Sequence, residues 1–182
     1  MEKRIENHSE IIKIAVTGPE STGKSSLSEQ LAQYYNTVWV KEYAREYLEK
    51  TKGKYEEEDL LRIAIGQQNA ETQLIMQANK MLVSDTEMIV MKIWSQVKYG
   101  RCHPELLDMV ALQSYDHYLL CNIDLPWEDD PLREHPGARN QLFEMYIKEL
   151  DYYNFPYTII KGCNEERFLA AKECIDTLIE KV

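Results

Sequence analysis

Short apolar runs rich in β-branched residues alternate along the chain with longer segments in which apolar residues recur at helical spacing. The runs predict five strands, at residues 11–17, 37–40, 81–85, 117–122 and 157–161. The longer segments predict helices at residues 24–35, 42–50, 57–79, 88–99, 105–115, 142–150 and 165–181. Because strands alternate with helices, the pattern predicts βαβ units, and therefore an α/β fold with a mainly parallel sheet of about five strands between two helical layers.

Two segments lack this periodicity. Residues 1–10 are polar and are expected to form an N-terminal tail, which leaves residues 11–182 as one domain. Residues 124–137 contain Pro126, Pro131, Pro136, Gly137 and a run of acids, without apolar spacing. This composition, between a predicted strand and a predicted helix, indicates a long loop. Its position suggests a lid over a binding site.

Composition narrows the class of protein. The chain has 182 residues, of which 44% are hydrophobic and 29% charged, as expected for a globular domain. The net charge of −10 argues against a nucleic-acid-binding surface. No apolar stretch approaches the roughly 20 residues of a membrane span, and no signal peptide is recognisable. Four scattered cysteines form no C-x-x-C pair, which favours free thiols. These features predict a cytoplasmic protein that does not bind membranes.

The most informative motif is a phosphate-binding loop. Residues 18–25 read G-x-x-x-x-G-K-S, between the first predicted strand and the first helix, as the P-loop requires. Lys24 is expected to reach the β- and γ-phosphates of ATP, and the Ser25 hydroxyl to bind Mg²⁺. The loop and first helical turn are the predicted nucleotide-binding residues: Gly18, Pro19, Glu20, Ser21, Thr22, Gly23, Lys24, Ser25 and Ser26.

Acidic residues follow two other predicted strands. Asp85 ends the third strand, where an acid of a P-loop protein holds Mg²⁺ directly or through water, although an N-cap role is the alternative. Glu87 is a weaker candidate for the same role. Glu42 follows the second strand, which we expect beside the P-loop strand. There a carboxylate can accept the proton of an acceptor hydroxyl, although a first-turn helix acid is the alternative.

Basic and aromatic residues complete the predicted site. Arg45 lies one turn after Glu42 and is a candidate for binding phosphate, or for a surface ion pair. Arg133 and Arg139 lie in or beside the predicted lid, where mobile arginines can neutralise charge during phosphoryl transfer, and we favour Arg133. Tyr43 and Trp127 can stack on a substrate ring or anchor their segments.

Four segments in this order resemble the ribosylnicotinamide kinase domain of the NadR family. They are the P-loop at residues 18–25, the Glu-Tyr-Ala-Arg-Glu-Tyr segment at 42–47, Asp85-Thr86, and Leu125-Pro126-Trp127 through Leu132-Arg133. The resemblance covers residues 11–180. It implies a P-loop nucleoside-kinase-like fold and the ATP- and Mg²⁺-dependent phosphorylation of nicotinamide riboside to its mononucleotide, in NAD metabolism.

The resemblance also assigns roles by position. It implies that Lys24 and Ser25 hold ATP and Mg²⁺, that Asp85 belongs to the metal or substrate site, and that Glu42 and Arg45 face the acceptor. It places Trp127 and Arg133 in the lid.

Several points stay open at this stage. Family members often carry an aromatic residue where this chain has Lys41, and the nearest aromatic residue is Trp39. The acceptor can therefore be another nucleoside or vitamin alcohol. A regulatory ATPase or switch with a protein partner is an alternative from a different class. The sequence does not decide whether Glu42 or Asp85 is the base, whether ATP or GTP is preferred, or whether the chain forms homo-oligomers.

Overall fold

The computed structural model describes residues 11–135 and 137–180, in which five strands alternate with seven α-helices. The strands are β1 (Ile12–Thr17), β2 (Trp39–Val40), β3 (Met81–Asp85), β4 (His117–Cys121) and β5 (Tyr157–Ile160). The helices are α1 (Lys24–Tyr34), α2 (Tyr43–Thr51), α3 (Glu57–Leu74), α4 (Met88–Tyr99), α5 (Pro104–Leu112), α6 (Arg139–Tyr152) and α7 (Glu165–Ile179). The predicted N-terminal tail lies outside the described residues.

All four pairings of the sheet are parallel, and the strand order is β2-β3-β1-β4-β5. This confirms the predicted α/β class and parallel five-stranded sheet. The expectation that β2 lies beside the P-loop strand is wrong, because β3 pairs with β1 and separates the two. All five residues of β3 are buried and need partners on both edges. The two-residue strand β2, with Trp39 partly exposed, suits the edge of the sheet.

The side chains of the sheet alternate between two apolar layers. On one face, Ile14 and Val16 of β1 and Leu119 of β4 pack with helices α1 and α7. On the other, Ala15 and Tyr118 pack with helices α2 to α6. Successive strand residues point to opposite faces, so burial on both faces explains the continuous apolar runs in the sequence. The sheet is therefore the middle layer of a three-layer sandwich.

Two helices end earlier than their sequence pattern predicts. Helix α3 stops at Leu74, and a single 3₁₀ turn at Ile75–Gln77 leads into β3. Helix α5 stops at Leu112 because Gln113 has an extended backbone. The side chain of Gln113 accepts a hydrogen bond from Met88 N at 3.2 Å, so it leaves the helix to join the start of α4.

The carboxyl ends of β1, β2 and β3 point to the same end of the parallel sheet, where the P-loop, Glu42 and Asp85 follow them. Ligands of open parallel sheets bind at the carboxyl ends of the strands. Residues 122–135 and 137–138 follow β4 at the same end and form no helix or strand. None of the helices in the described part of the chain is both long enough and apolar enough to cross a membrane.

Candidate functional site

The P-loop conformation depends on its two glycines. Gly18 has φ +132°, and a Cβ added there would lie 2.9 Å from the carbonyl oxygen of Cys121. Gly23 has φ +76°, and its Cβ would lie 2.9 Å from the side chain of Leu125. Both positions therefore combine a backbone angle that favours glycine with a close approach that a larger residue would obstruct. The loop is held against the end of β4 and beneath the start of the long loop.

Lys24 is the first residue of α1 and follows Gly23 near the end of the P-loop. Its Nζ donates a hydrogen bond to the carbonyl oxygen of Pro19 at 2.8 Å, and Thr22 Oγ1 donates to the same oxygen at 2.8 Å. The N-cap is Gly23, so α1 has no side-chain cap among the described residues. The first N–H groups of the helix thus remain for an anion, and the helix dipole favours one there. This geometry suits the phosphates of a nucleotide.

Ser25 and Asp85 form the part of the site that suits a metal ion. Asp85 is 2% exposed, and its Oδ1 has no hydrogen-bond partner among the described residues. Burial raises the pKa of Asp85, the charge of Glu42 raises it further, and the Ser25 hydroxyl and Lys24 oppose this shift. An unpartnered buried carboxylate oxygen beside a hydroxyl is the oxygen-ligand chemistry that Mg²⁺ prefers.

The described residues contain no cluster of three or more His, Cys, Asp or Glu side chains that could hold a metal. A Mg²⁺ site of the P-loop type uses only one or two protein oxygens, together with water and substrate phosphates. The unpartnered Oδ1 of Asp85 and the Ser25 hydroxyl fit Mg²⁺ bound in this way with a nucleotide.

The alternative N-cap role considered for Asp85 belongs to Glu87. Glu87 is fully buried at the start of α4, and its carboxylate accepts hydrogen bonds from Ile89 N at 2.7 Å, Thr17 Oγ1 at 2.8 Å and Gln113 Nε2 at 2.9 Å. Burial raises its pKa to about 7. Glu87 joins β1, α4 and α5 through these bonds. Neither Glu87 nor Asp85 is among the described residues that line the cavity, but Asp85, unlike Glu87, interacts with Ser25, Lys24 and Glu42 of that lining.

One cavity of about 570 Å³ is lined both by the P-loop and by residues of α2, α4 and α6. Glu42 and Arg45 are among its lining residues. The carboxylate of Glu42 makes no capping hydrogen bond within the described chain, although Glu42 is the N-cap of α2, so it remains available in the cavity. Outside the P-loop the lining includes a group of apolar and aromatic side chains, which we call the apolar wall: Leu48, Val90, Ile93, Trp94, Val97, Leu132, Leu142 and Tyr146.

The predicted lid, residues 124–139, lies directly on the P-loop. Arg139 Nη1 donates to the carbonyl oxygens of Leu125 at 2.8 Å and Ser21 at 3.2 Å. Arg133 Nη1 lies 3.3 Å from the Ser21 hydroxyl, which also accepts Glu128 N at 2.9 Å. Arg133 lines the cavity, whereas Arg139 is outside its described lining. This difference supports the preference for Arg133.

Glu20 holds the same segment from the P-loop side. Its carboxylate accepts the backbone N–H groups of His135 at 3.0 Å and Glu134 at 3.2 Å. Glu20 and Ser21 line the cavity, as expected of the nucleotide-binding loop, and their side chains also bind the lid.

Two aromatic candidates lie outside the described lining of the cavity. The ring centre of Trp127 lies 5.9 Å from the guanidinium carbon of Arg133 and 5.8 Å from that of Arg139, and its Nε1 donates to Asp129. The ring of Tyr43 packs against Gly66 of α3, where a Cβ would come within 2.1 Å of it. In this structure both rings anchor their segments.

Sequence reasoning missed Arg167, which lines the cavity, and Gln67, which contacts the backbone of Asp85 from outside the described lining. Arg167, on α7, is 3% exposed and donates to the carbonyl oxygens of Thr22 at 2.6 Å, Gly162 at 2.9 Å and Asn122 at 3.2 Å, and to the carboxylate of Asp124. It precedes buried Ala171 by one helical turn, and this spacing is the signal that could have identified it. Gln67 lies at helical spacing with the buried residues Ile63 and Ala64 of α3, so the sequence pattern alone includes it in an apolar stripe.

The sequence of the chain is similar to part of a known multifunctional protein. It is 29% identical over 160 residues to the trifunctional NAD biosynthesis/regulator protein NadR of Salmonella typhimurium, covering 76% of this chain and 38% of the relative. The chain spans about two fifths of the length of the curated relatives that it matches. These relatives confirm the resemblance to the NadR family.

Solved structures agree on the fold. A crystal structure of NadR protein in complex with NR has a TM-score of 0.77 at 21% identity, covering 92% of this chain and 51% of that one. A crystal structure of NadR protein in complex with NAD and AMP-PNP has a TM-score of 0.75 at 21% identity, covering 92% and 49%. Both confirm the P-loop α/β fold. Since the AAA_28 family profile, described as an AAA domain, matches residues 13–167, the chain belongs to that family.

Proposed function

We propose that the protein is an ATP- and Mg²⁺-dependent kinase that phosphorylates a hydroxyl group of nicotinamide riboside or a closely related nucleoside. The observation that carries the proposal is that one cavity is lined by the P-loop, by the apolar wall and by Glu42, whose carboxylate makes no capping hydrogen bond in the described chain. A kinase needs two substrates in one enclosure, with a proton acceptor where they meet. The relatives named for NAD biosynthesis and the NadR structure with NR support the choice of acceptor.

On the donor side, the P-loop N–H groups and Lys24 would bind the phosphates of ATP. Lys24 would exchange its present bond to Pro19 for phosphate oxygens. Ser25 and Asp85 would hold Mg²⁺, which when bound would neutralise charge on the β- and γ-phosphates. The NadR structure with AMP-PNP supports an adenine nucleotide at this site.

On the acceptor side, Glu42 would orient the hydroxyl group that attacks the γ-phosphorus. As the new phosphorus–oxygen bond forms, the bond to the leaving ADP oxygen breaks and the hydroxyl proton passes to the carboxylate of Glu42. Because the transition state of phosphoryl transfer is loose, orientation contributes more than deprotonation. Arg133 lines the cavity from the lid and would neutralise charge on the transferred group.

The contacts of Lys41 support a pyridinium acceptor. Its Nζ lies 5.4 Å from the centre of the Trp39 ring, and the residue is exposed. Lys41 is not among the described residues that line the cavity, so its positive charge does not face a cationic ring there. The cavity lining instead includes Trp94 and Tyr146, and aromatic rings attract cations over their faces.

The test is ATP turnover with a panel of ribosides and vitamin alcohols, together with detection of the phosphorylated product. We expect nicotinamide riboside to stimulate turnover, and Lys24→Ala to lower it by about 10²-fold or more, since a transition-state charge partner is lost. Lys148→Ala, which removes an exposed lysine of α6, is the matched control. Slow ATP hydrolysis that no acceptor stimulates would instead favour a switch.

A further inference from the structure

Gln67 connects the start of α2, which follows Glu42, to the end of β3, which carries Asp85. It lies on α3 and is 2% exposed. Its Oε1 accepts the backbone N–H of Tyr43 at 2.8 Å, and its Nε2 donates to the backbone carbonyl of Asp85 at 3.1 Å. The same Nε2 lies 3.4 Å from Ser84 Oγ. One buried side-chain amide thus joins the start of α2 to the end of β3.

The backbone at the start of α2 has few hydrogen-bond partners in the described structure besides Gln67. Glu42 follows a strand of only two residues, whose described pairing to β3 covers Trp39 and Val40. The first N–H groups of a helix have no partner within the helix, and the Glu42 side chain does not cap α2 in the described structure. Gln67 supplies the partner for Tyr43 N and ties it to β3.

Gly66 provides a second contact between α3 and the start of α2, because the Tyr43 ring packs against it. A Cβ at this position would lie 2.1 Å from Cε1 of Tyr43 and 2.4 Å from its Cδ1, so only glycine allows the ring to lie against α3. Glycine inside a helix is unfavourable by about 1 kcal/mol relative to alanine. The neighbouring positions 66 and 67 thus receive the ring and the N–H group of the same residue, which directly follows Glu42.

We propose that Gln67 is a positioning residue. It fixes Glu42 relative to Asp85, the acid that would hold Mg²⁺. This inference rests on the proposed function, because it assigns Glu42 to the acceptor and Asp85 to Mg²⁺. Phosphoryl transfer requires the acceptor hydroxyl in line with the γ-phosphorus, and a misplacement of about 1 Å can cost 10²-fold in rate. The side chain of Gln67 contacts neither substrate in this role and acts through the backbone of its two partners.

The test compares Gln67→Met, which retains the volume of the side chain without its amide, with Gln68→Met, which changes an exposed glutamine next to it. For Gln67→Met we expect kcat to fall by about 10- to 100-fold and the KM for nicotinamide riboside to rise. The KM for ATP should stay within about twofold, since the P-loop is not contacted. The share of ATP hydrolysed without product should increase. Gln68→Met should match the wild type.

A purely structural role predicts a different result. Loss of folded protein lowers kcat and leaves both KM values and the coupling of hydrolysis to product unchanged, and that result would overturn the inference. So would kinetics equal to those of Gln68→Met. If Gln67→Met does not fold, Gly66→Ala displaces the Tyr43 ring while favouring the helix, and must produce the same kinetic pattern.

Failure of the proposed function is distinguishable. If no acceptor stimulates the wild type, the kinase proposal fails, and the positioning role of Gln67 fails with it. The pair of hydrogen bonds from Gln67 to Tyr43 N and the Asp85 carbonyl, which we call the bridge, can be tested by hydrogen exchange without any acceptor. Amide hydrogen exchange at Tyr43 should be at least about tenfold faster in Gln67→Met than in Gln68→Met, because the N–H group loses a buried hydrogen-bond partner. Equal exchange rates in the two variants would overturn the bridge.

Discussion

Arg45 of α2 and Asp130 of the lid form an ion pair at the cavity, with 2.6 Å between Nη2 of the arginine and Oδ2 of the aspartate. The hydrogen bond to Asp130 raises the pKa of Arg45, and the same bond is the main cause that lowers the pKa of Asp130. Helix α2 is thereby tied to the segment of residues 124–139. An anionic ligand that binds Arg45 would compete with Asp130 for its guanidinium group.

Asp130→Asn should therefore weaken the closed position of the lid. Because the side chain of Arg45 is 46% exposed, the pair contributes less than about 1 kcal/mol, and we expect the acceptor KM to change by less than about fivefold. The change should shrink at high salt, where exposed charges are screened. The measurement is acceptor KM at low and high salt, with Asp129→Asn as the control. An equal effect of both variants would indicate a general charge effect.

Arg133→Ala should lower kcat by about 10²-fold at saturating substrates, since Arg133 lines the cavity and would neutralise charge in the transition state. Arg139→Ala is the matched comparison. Arg139 donates to the carbonyl oxygens of Leu125 and Ser21, but it is not itself among the described residues that line the cavity. Its replacement should loosen the lid with a smaller effect on kcat. Equal losses of kcat would contradict a distinct role for Arg133.

Proteolysis tests the mobility of the lid directly. We expect cleavage within residues 124–139 to slow when an ATP analogue and an acceptor are both bound, because closure over the substrates protects the segment. Glu20→Gln should increase cleavage in the free protein, since its carboxylate accepts two backbone N–H groups of the lid. Cleavage that is unaffected by ligands would show that residues 124–139 do not close over the site.

Local patterns determined much of the fold in advance. The bounds of β3 and α4 agree with those predicted from apolar runs and from Gly100, which ends α4 with φ +68°. The P-loop was recognisable because its chemistry requires fixed residue types at fixed spacing. Sheet order was not predictable in this way. β2 is separated from β1 because β3 pairs with a neighbouring strand along each of its two edges. A run of apolar residues in the sequence does not reveal this pairing.

Residues that act through long-range contacts were the hardest to predict. Gln67 and Tyr43 are separated by a helix and a loop, and their hydrogen bond exists only because α3 packs beside β2 and β3. Arg167 reaches the carbonyl oxygen of Thr22 from the opposite end of the chain. A polar residue in an apolar helical stripe is the signal common to both, and it does not indicate the partner.

Asp59 should stabilise α3, the helix that carries Gln67. Its carboxylate accepts Glu56 N at 2.9 Å in a capping box, and the Tyr47 hydroxyl at 2.7 Å. Asp59→Ala should lower the free energy of unfolding by about 1–2 kcal/mol at neutral pH. Glu58→Ala, at an exposed position one residue away, is the control and should have little effect. Urea titration of both variants measures the difference.

The pH dependence of that difference follows from the pKa of Asp59. The hydrogen bond from Glu56 N is the largest cause of its lowering from the usual 3.8. A carboxyl group with a lowered pKa in the folded state stabilises the protein above pH 3.8, and this stabilisation is lost as the pH falls through the lower folded-state value. The gap between wild type and Asp59→Ala should therefore be constant near neutral pH and shrink below about pH 4. A gap that widens in acid would contradict this role.

Glu42 and Asp85 should differ in what their loss changes, because Glu42 lines the cavity and Asp85 lies beside Ser25. Glu42→Gln keeps the shape of the side chain and removes the proton acceptor, so kcat should fall by about 10²-fold or more while ATP binding is retained. Asp85→Asn should instead raise the Mg²⁺ concentration needed for half-maximal turnover, since a neutral amide is a weaker ligand.

A Mg²⁺ titration of both variants separates these roles. At saturating Mg²⁺, turnover of Asp85→Asn should recover in part, whereas that of Glu42→Gln should stay low, because no metal concentration replaces a missing base. Binding of a fluorescent ATP analogue verifies that each variant retains the nucleotide site. If Glu42→Gln has normal kcat and Asp85→Asn fails at every Mg²⁺ concentration, then Asp85 is the base. The carboxylate of Glu42, which caps no N–H group of α2 in the described structure, would then be only the acid that precedes this helix.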